Sequence, residues 1–325
     1  MADVAQRAGV SVMTVSRVLN GFPGVAATTR QRVEAAVADL GYTANTAARV
    51  LAGGRSRALG VVAVETGHFG PAHLLYGIEA ATRAAGHLLS FVTLDPGVDE
   101  MEATLEHLRA AAVEGVIVLA PVDPVITALA DLPGDLPLVV AGGDPSIPLS
   151  TVTMDQEGGA RLATRHLLDL GHPTVHHIRG ASGWIDAAAR QRGWADALAA
   201  AGVAPGRCLD GDWSAARGYE AGQELAEDPD VTAVFAANDQ TALGLLRAVQ
   251  EAGRAGEVSV VGFDDSPEAP YFLPPLTTIR QDLDEVGRRA VELLLARIDG
   301  AEGPRHVIVP PELVVRESTT LRSGA

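Results

Sequence analysis

Two hydrophobic periodicities divide this chain. Near the start, Val4, Ala5 and Ala8 fall on one side of a short helix spanning Asp3 to Ala8, and Val15, Val18 and Leu19 form an apolar stripe on a second helix. Met13, Arg17 and Asn20, spaced i, i+4 and i+7, share the face opposite that stripe. Gly9 permits a left-handed turn between the two helices, and Ser11 stands where an N-cap hydroxyl belongs. After the turn cluster Gly21-Phe22-Pro23-Gly24, a third helix is expected from Thr28 to Leu40. Val33, Ala36, Val37 and Leu40 would face inward, and Gly41 would stop the helix. Two short helices joined by a glycine turn, the second carrying Arg and amide groups outward, have the pattern of a helix-turn-helix, whose second helix enters the DNA major groove. Two small amphipathic helices of some other helical domain would give the same local pattern.

From Ala58 the period changes. Apolar strand-like runs occur at Leu59–Val64, Leu88–Leu94, Gly115–Leu119, Pro137–Ala141, Thr151–Met154, Val175–Ile178, Thr232–Ala236 and Ser259–Phe263. Amphipathic stretches such as Ala72–Ala85, Glu157–Leu170, Ile185–Ala201 and Thr241–Ala252 separate them. Buried strands alternating with helices predict parallel sheets, here too many for one sheet, so two doubly wound α/β lobes are expected. In such folds ligands bind at the carboxyl ends of the strands.

Charge sharpens this division. The 325 residues carry 25 basic and 41 acidic side chains, a formal net charge of −16, which argues against a protein that coats nucleic acid or an anionic membrane. Residues 1–57, however, hold seven Arg (7, 17, 30, 32, 49, 55 and 57) against Asp3, Glu34 and Asp39, a net +4, leaving −20 on the other 268 residues. A small basic head on a large acidic body fits a confined contact with DNA. The chain contains no Lys, a trait of composition rather than mechanism, and Cys208 stands alone, so no disulfide framework or Cys-based zinc site is expected. Residues 1–30 hold no signal-peptide core and no apolar run reaches 18 residues, which predicts a cytoplasmic protein with no membrane partner.

An enzyme is not expected. Ser182 lies in Gly180-Ala181-Ser182-Gly183, not in a nucleophile elbow, and no phosphate loop is found. Asp264 with Glu268 would mimic a glycosidase pair, but the binding-type motifs around them argue otherwise. His172, His176 and His177 lack a carboxylate or Cys at ligand spacing, so no metal and no cofactor are predicted.

The strings DVAQRAGVS, TVSRVLNG, TRQRVEAAV, LGYTAN and AARVLAGGRS, leading into LGVV, resemble the DNA-binding head of the LacI/GalR family of bacterial repressors. The resemblance continues to the C-terminal end through GDWSA, ANDQTALG, SVVGFDD and PPLTTIRQDL. It implies a three-helix head over 1–44, a hinge helix and linker over 45–57, and a periplasmic-binding-protein-like core over 58–325. Lobe 1 would span about 58–154 and 281–310, and lobe 2 about 155–280 and 311–325, with the chain crossing between them. DNA contacts would come from Ser11, Val12, Met13, Thr14, Ser16, Arg17 and Asn20 in the head, and from Asn45 and Leu51 in the hinge. In the family the hinge helix forms when two subunits meet on DNA, and its Leu wedges into the minor groove; Asn45 as a cap, small Ala47 and Ala48, and the terminating Gly53-Gly54 are compatible with that.

The resemblance further implies a sugar cleft between the lobes, lined by Arg190, Trp213, Asn238, Asp264 and Gln281. The chemistry suits a carbohydrate: a carboxylate accepts two hydroxyl hydrogens, a guanidinium forks onto vicinal hydroxyls, and an indole offers a flat apolar face. On the first lobe the match is looser. Pro71 and Leu74 fall on an apolar wall, while His68 replaces an apolar residue there and Met154 an aromatic one. Asp144 is the nearest substitute for a carboxylate whose own position holds Gly142, and Asp186 replaces a serine.

The head also departs from the family pattern. About five residues that precede the first helix in relatives have no counterpart, Ala26 replaces a hydroxyl-bearing residue, and Val12 and Met13 are apolar where bases are chosen, which favours thymine methyl groups. The reading predicted is a repressor of carbohydrate-utilisation genes that binds a pseudo-palindromic DNA operator and is released by a small, galactoside-like sugar. Without a heptad tail it would act as a homodimer. A corepressor-dependent regulator and a sugar receptor without DNA function are the alternatives.

Overall fold

The computed structural model of the chain describes residues 1–19, 22–42, 55–64, 66–94, 101–119, 122, 136–143 and 147–322. Asn20, Asn45, Leu51 and Asp144 lie outside the described residues, as do residues 45–54 of the hinge and linker expected over 45–57.

The head comprises helices α1 (Ala2–Ala8), α2 (Val12–Leu19) and α3 (Ala27–Asp39). Val4, Ala5, Ala8, Val15, Val18, Val33 and Ala36 form its core, with Leu19, Val25, Val37 and Tyr42 packed around them. Gly9 closes α1 in the left-handed region, at φ 62°. Leu40 does not face inward as its spacing suggested: it is 46% exposed. The helix ends one residue earlier, and Gly41 (φ 55°) reverses the chain so that the Tyr42 N–H bonds to the Val37 carbonyl, bringing Tyr42 rather than Leu40 onto the core.

Beyond residue 57 the chain builds two six-stranded sheets. The first contains β1 (Ala58–Val64), β2 (Leu88–Leu94), β3 (Gly115–Leu119), β4 (Leu138–Ala141), β5 (Ser150–Met154) and β11 (His306–Val309), in the order β11-β5-β4-β3-β1-β2, all parallel. The second contains β6 (His176–Ile178), β7 (Cys208–Leu209), β8 (Ala233–Ala236), β9 (Ser259–Asp264), β10 (Thr277–Arg280) and β12 (Glu312–Val314), in the order β12-β10-β9-β8-β6-β7. Only β12 is antiparallel there. The strands β7, β10, β11 and β12 are two to four residues long and carry too few side chains to show a period, so the sequence alone did not reveal them.

Helices α4 (Phe69–Ala84) and α5 (Met101–Ala110) serve the first sheet, and α6 (Gln156–Asp169), α7 (Ile185–Ala200), α8 (Ala215–Ala226) and α9 (Asp239–Glu251) the second. The last helix, α10 (Leu283–Ile298), returns to the first sheet and packs along α4. That pair is held close by two glycines: a methyl on Gly287 would sit 2.6 Å from the Gly77 carbonyl carbon. The chain passes between the sheets three times, after Met154, after Arg280 and after Val309. Each lobe therefore contains segments distant in sequence, and the space between the sheets is bounded by their crossing points. Among the described residues no helix is long and apolar enough to cross a membrane.

Candidate functional site

On the head, the Ser11 hydroxyl accepts the Thr14 N–H at 3.1 Å and shares a 2.9 Å hydrogen bond with the Thr14 hydroxyl, capping α2. The cap presents Val12 and Met13 to solvent, 47% and 65% exposed, with Arg17 exposed on the next turn. Ser16 is half-buried beside them. Arg32 reaches back from α3 to the Ala8 and Gly9 carbonyls and fixes the turn before α2. Arg30 donates to the Phe22 carbonyl at 3.0 Å and Arg7 pairs with Asp39 at 3.1 Å, so part of the basic excess of the head holds the head together. Ala26, the N-cap of α3, makes no side-chain capping hydrogen bond.

The second candidate lies between the lobes. A cleft of about 740 Å³, mouth included, is lined by His68, Pro71, Leu74, Met154, Arg190, Trp213, Asn238, Asp264 and Gln281, which come from seven separate segments of the chain. Phe69, Gln156, Trp184 and Asp186 also line it. Gly142, at the carboxyl end of β4, lies on the same lining, two residues before the undescribed Asp144.

The polar groups form a closed ring. Arg190 Nε donates to Gln156 Oε1 at 2.8 Å, Gln156 Nε2 to Gln281 Oε1 at 3.0 Å, and Gln281 Nε2 to Asp264 Oδ1 at 2.6 Å. Arg190 Nη2 completes it, 3.8 Å from Asp264 Oδ1, while Nη1 is held by the Ala237 carbonyl. Arg190 and Asp264 are 4% and 6% exposed, and Gln156 and Gln281 close the circuit beside two of the crossing points. The guanidinium lies 3.8 Å above the Phe263 ring centroid and 5.3 Å from that of Trp213. Burial pushes the Asp264 carboxyl up to about 7 despite Arg190, and pushes Asp239, behind it, up to about 6. Asp239 accepts the Ser266 N–H at 2.7 Å and the Thr278 hydroxyl at 2.6 Å.

Asp264 and Asp265 divide their roles. Asp264 faces the cleft, whereas Asp265 pairs with Arg280 at 2.7 Å and Arg316 at 2.6 Å and ties β10 to the C-terminal segment. Both have positive φ, 119° and 56°, as does Trp213 at 71°. Left-handed backbone at non-glycine residues is held by its surroundings and concentrates at functional sites. Trp213 sits on Gly180, where a methyl would meet the indole ring at 2.1 Å, and Trp184 meets it edge-on at 5.4 Å. His68 in turn packs against Trp184 at 5.2 Å.

Asn238 is more structural than its polarity suggested. Its carbonyl accepts the Thr241 N–H at 2.9 Å as the N-cap of α9, and its amide donates to the Trp213 carbonyl and to Gln240 Oε1. It thereby fixes the backbone that carries the indole. Glu268 is exposed and off the cleft lining, so it forms no carboxylate pair with Asp264 there. The histidines are core groups. His172 lies between Thr232 and Ser259, His176 accepts from the Arg207 N–H, and His177 stacks on Phe235 at 4.7 Å with its pKa lowered by burial to about 4. No metal-holding group of side chains is found among the described residues.

Of the residues that sequence reasoning passed over as site residues, Asp186 carried a signal: it lies one helical turn before Arg190, at i and i+4 on α7. Trp184, one of three tryptophans, follows a glycine turn as an aromatic platform would. Gln156 carried none, since a glutamine after an N-cap aspartate is ordinary in sequence.

Residues 1–45 match the family described as bacterial regulatory proteins, lacI family, and residues 164–319 match a periplasmic binding protein-like domain. The chain is 34% identical to the lactose operon repressor of Escherichia coli strain K12 over 322 residues, which are 98% of this chain and 89% of that one. It is 35% identical to the transcriptional regulator CelR of Thermobifida fusca, over 97% of this chain and 96% of that one. Among solved structures, the lac repressor dimer bound to operator and an anti-inducer superposes with a TM-score of 0.88, covering 98% of both chains at 34% identity. A CelR–cellobiose complex superposes with a TM-score of 0.74, covering 98% of both chains at 32% identity.

Proposed function

This chain belongs to the lacI family of bacterial regulatory proteins, and on that premise we propose that it represses carbohydrate-utilisation genes and is released from its operator by a small, galactoside-like sugar. The protein is a DNA-binding, ligand-responsive regulator and not an enzyme. The observation that carries the sugar reading is the cleft, where Arg190, Asp264 and Gln281 meet beside the Trp213 indole between the two lobes. A sugar hydroxyl takes the place of each side-chain partner in the buried ring, and the indole covers a C–H face. The CelR–cellobiose complex supports a carbohydrate ligand in this fold.

The DNA reading rests on the capped α2. Val12 and Met13 stand exposed at its N-terminal end, where they meet thymine methyl groups, and Arg17 follows one turn on. Ser11, Thr14 and Ser16 border that face, and Asn20, Asn45 and Leu51 extend the contact into segments outside the described residues. The solved lac repressor dimer on its operator supports a homodimer acting on a two-fold site, with half-sites about one helical turn apart. Because the chain crosses between the lobes three times, a ligand that draws the walls together rotates one lobe against the other and moves the two heads apart. Linkage of this kind is typically about 1–3 kcal/mol.

The test is a gel-shift titration on the DNA upstream of the protein's own gene, with galactosides, glucosides and free sugars. A shifted band abolished by one sugar is the expected result. A band strengthened by sugar would replace induction with corepression and leave the cleft assignment standing. A folded dimer that shifts no DNA from that region would overturn the operator assignment.

A further inference from the structure

Among the described residues, the polar wall of the cleft sets three carboxyl groups around one guanidinium. Asp186, Asp239 and Asp264 surround Arg190, and each of the three acts on it electrostatically. Two of them are satisfied: Asp239 by Ser266 and Thr278, and Asp264 by Gln281. The guanidinium is itself engaged by Gln156 and the Ala237 carbonyl. Asp186, one turn before Arg190, has no hydrogen bond or ion pair among the described residues. Burial raises its pKa against the pull of Arg190, and raises those of Asp239 and Asp264 as well.

Asp186 also stands at a junction. It lines the main cleft and a second chamber beside it, bounded by Asp155, Glu157 and Arg192. Among the described residues lining that chamber the one guanidinium, that of Arg192, is paired with Glu157 at 2.6 Å. On the main cleft, Trp184 and Trp213 add aromatic rings, whose faces attract cations. A second, independent group lacks a partner among the described residues: the Trp213 indole N–H is buried without a hydrogen bond, in a residue 5% exposed that lines the same cleft. It calls for an acceptor such as a hydroxyl or ether oxygen.

We propose that the ligand of this cleft is an amino sugar or related aminopolyol, with its protonated amine against Asp186 and a ring or hydroxyl oxygen on the Trp213 indole N–H. The assignment rests on the reading of the cleft as a carbohydrate site and names the class of carbohydrate. The ammonium supplies a positive charge beside Asp186, and its three N–H donors suit a carboxylate that lines two adjacent spaces. An anionic sugar, a uronic acid or sugar phosphate, meets the same carboxylate as repulsion.

Titration calorimetry on the full chain tests this with matched probes: galactose, galactosamine, N-acetylgalactosamine and galacturonic acid, and the same four in the gluco series. In at least one series the free amine is expected to bind about tenfold or more tighter than the hydroxyl and N-acetyl forms, with the uronic acid weakest. Asp186→Asn, close in shape, is expected to abolish that ratio. Equal or weaker binding of the amines by the unaltered protein would overturn the proposal without any variant, and so would a ratio that survives Asp186→Asn. Neutral sugars that bind without an amine advantage would leave the carbohydrate reading intact and remove only the amine. If no probe binds while the chain still shifts its operator, both readings of the cleft fall.

Discussion

The two walls of the cleft are built on opposite principles. The first lobe contributes Pro71 and Leu74 from α4 and Leu119, Ala141 and Met154 from strand ends, an apolar wall continuous with that lobe's core. The second lobe contributes Arg190, Asp186, Asp264 and Asn238, nearly all the charge and hydrogen-bonding capacity. His68 is the main exception on the first side, and it packs on Trp184 of the second. Gln156 and Gln281, adjoining the crossing segments, complete the ring. The polar wall sets orientation because its groups are already locked to each other and to the backbone. The apolar wall adds contact area without direction, so it tolerates approach and withdrawal. A site divided in this way can sense the position of one lobe relative to the other.

The largest test of this contrast is Arg190→Met. It leaves Asp264 and Asp239 buried, and Asp186 half-buried, without that cation, and is expected to destabilise the second lobe by about 3–5 kcal/mol and abolish the response to ligand. Urea unfolding followed by Trp fluorescence measures the first effect, and gel shifts the second. A variant as stable as the parent would show that the guanidinium does not balance that charge.

On the opposite wall, Leu74→Ala removes a side chain that is 8% exposed and part of the first lobe's core. The expected loss is about 2–4 kcal/mol, from transfer and cavity terms. Because this wall supplies no direction, the ranking of sugars by affinity should survive even where each affinity falls. Calorimetry on the variant checks this, and a reordered ranking would place specificity on the apolar side.

The smallest effect is in the pH dependence of stability. The folded-state pKa of Asp264, about 7, lies above the usual carboxylate value. The folded state therefore holds this proton more tightly than the unfolded chain. Its contribution is full below the unfolded value and is lost as pH rises through about 7. Relative to the parent, Asp264→Asn should gain on the order of 1–3 kcal/mol between pH 4.5 and 7.5, read as the difference in urea midpoints. Arg190, Asp186 and Asp239 face this group in both proteins. His177, lowered to about 4, acts in the opposite direction but is common to both, so its direct effect cancels. A parallel pair of profiles would remove Asp264 as the titrating group.

Much of this was legible before any coordinates. Apolar spacing placed the three head helices to within about two residues, because a small domain must use every inward position: Val4, Val15 and Val33 are fully buried. The long strands were equally plain, as β1 and β3 are buried on both faces and read as unbroken apolar runs. Leu40 failed because its spacing continues a helix that Gly41 ends. The family resemblance named nine residues that share one cleft, but it could not say which are free to meet a ligand. Asn238 is engaged in capping α9 and carrying Trp213, and Arg190 is committed to Gln156 and Ala237.

By itself the sequence determined the class of each segment and the kinds of chemistry available, because amphipathic period, capping residues and charge asymmetry are local properties. Only the tertiary structure decided which groups meet. The buried ring joins residues 156, 190, 264 and 281, brought together by crossings between two sheets. The gathering of three carboxyl groups around Arg190, with Asp186 unpaired among the described residues, exists only after those crossings are made. Charge balance in a buried site depends on distances through space, and spacing along the chain does not set them.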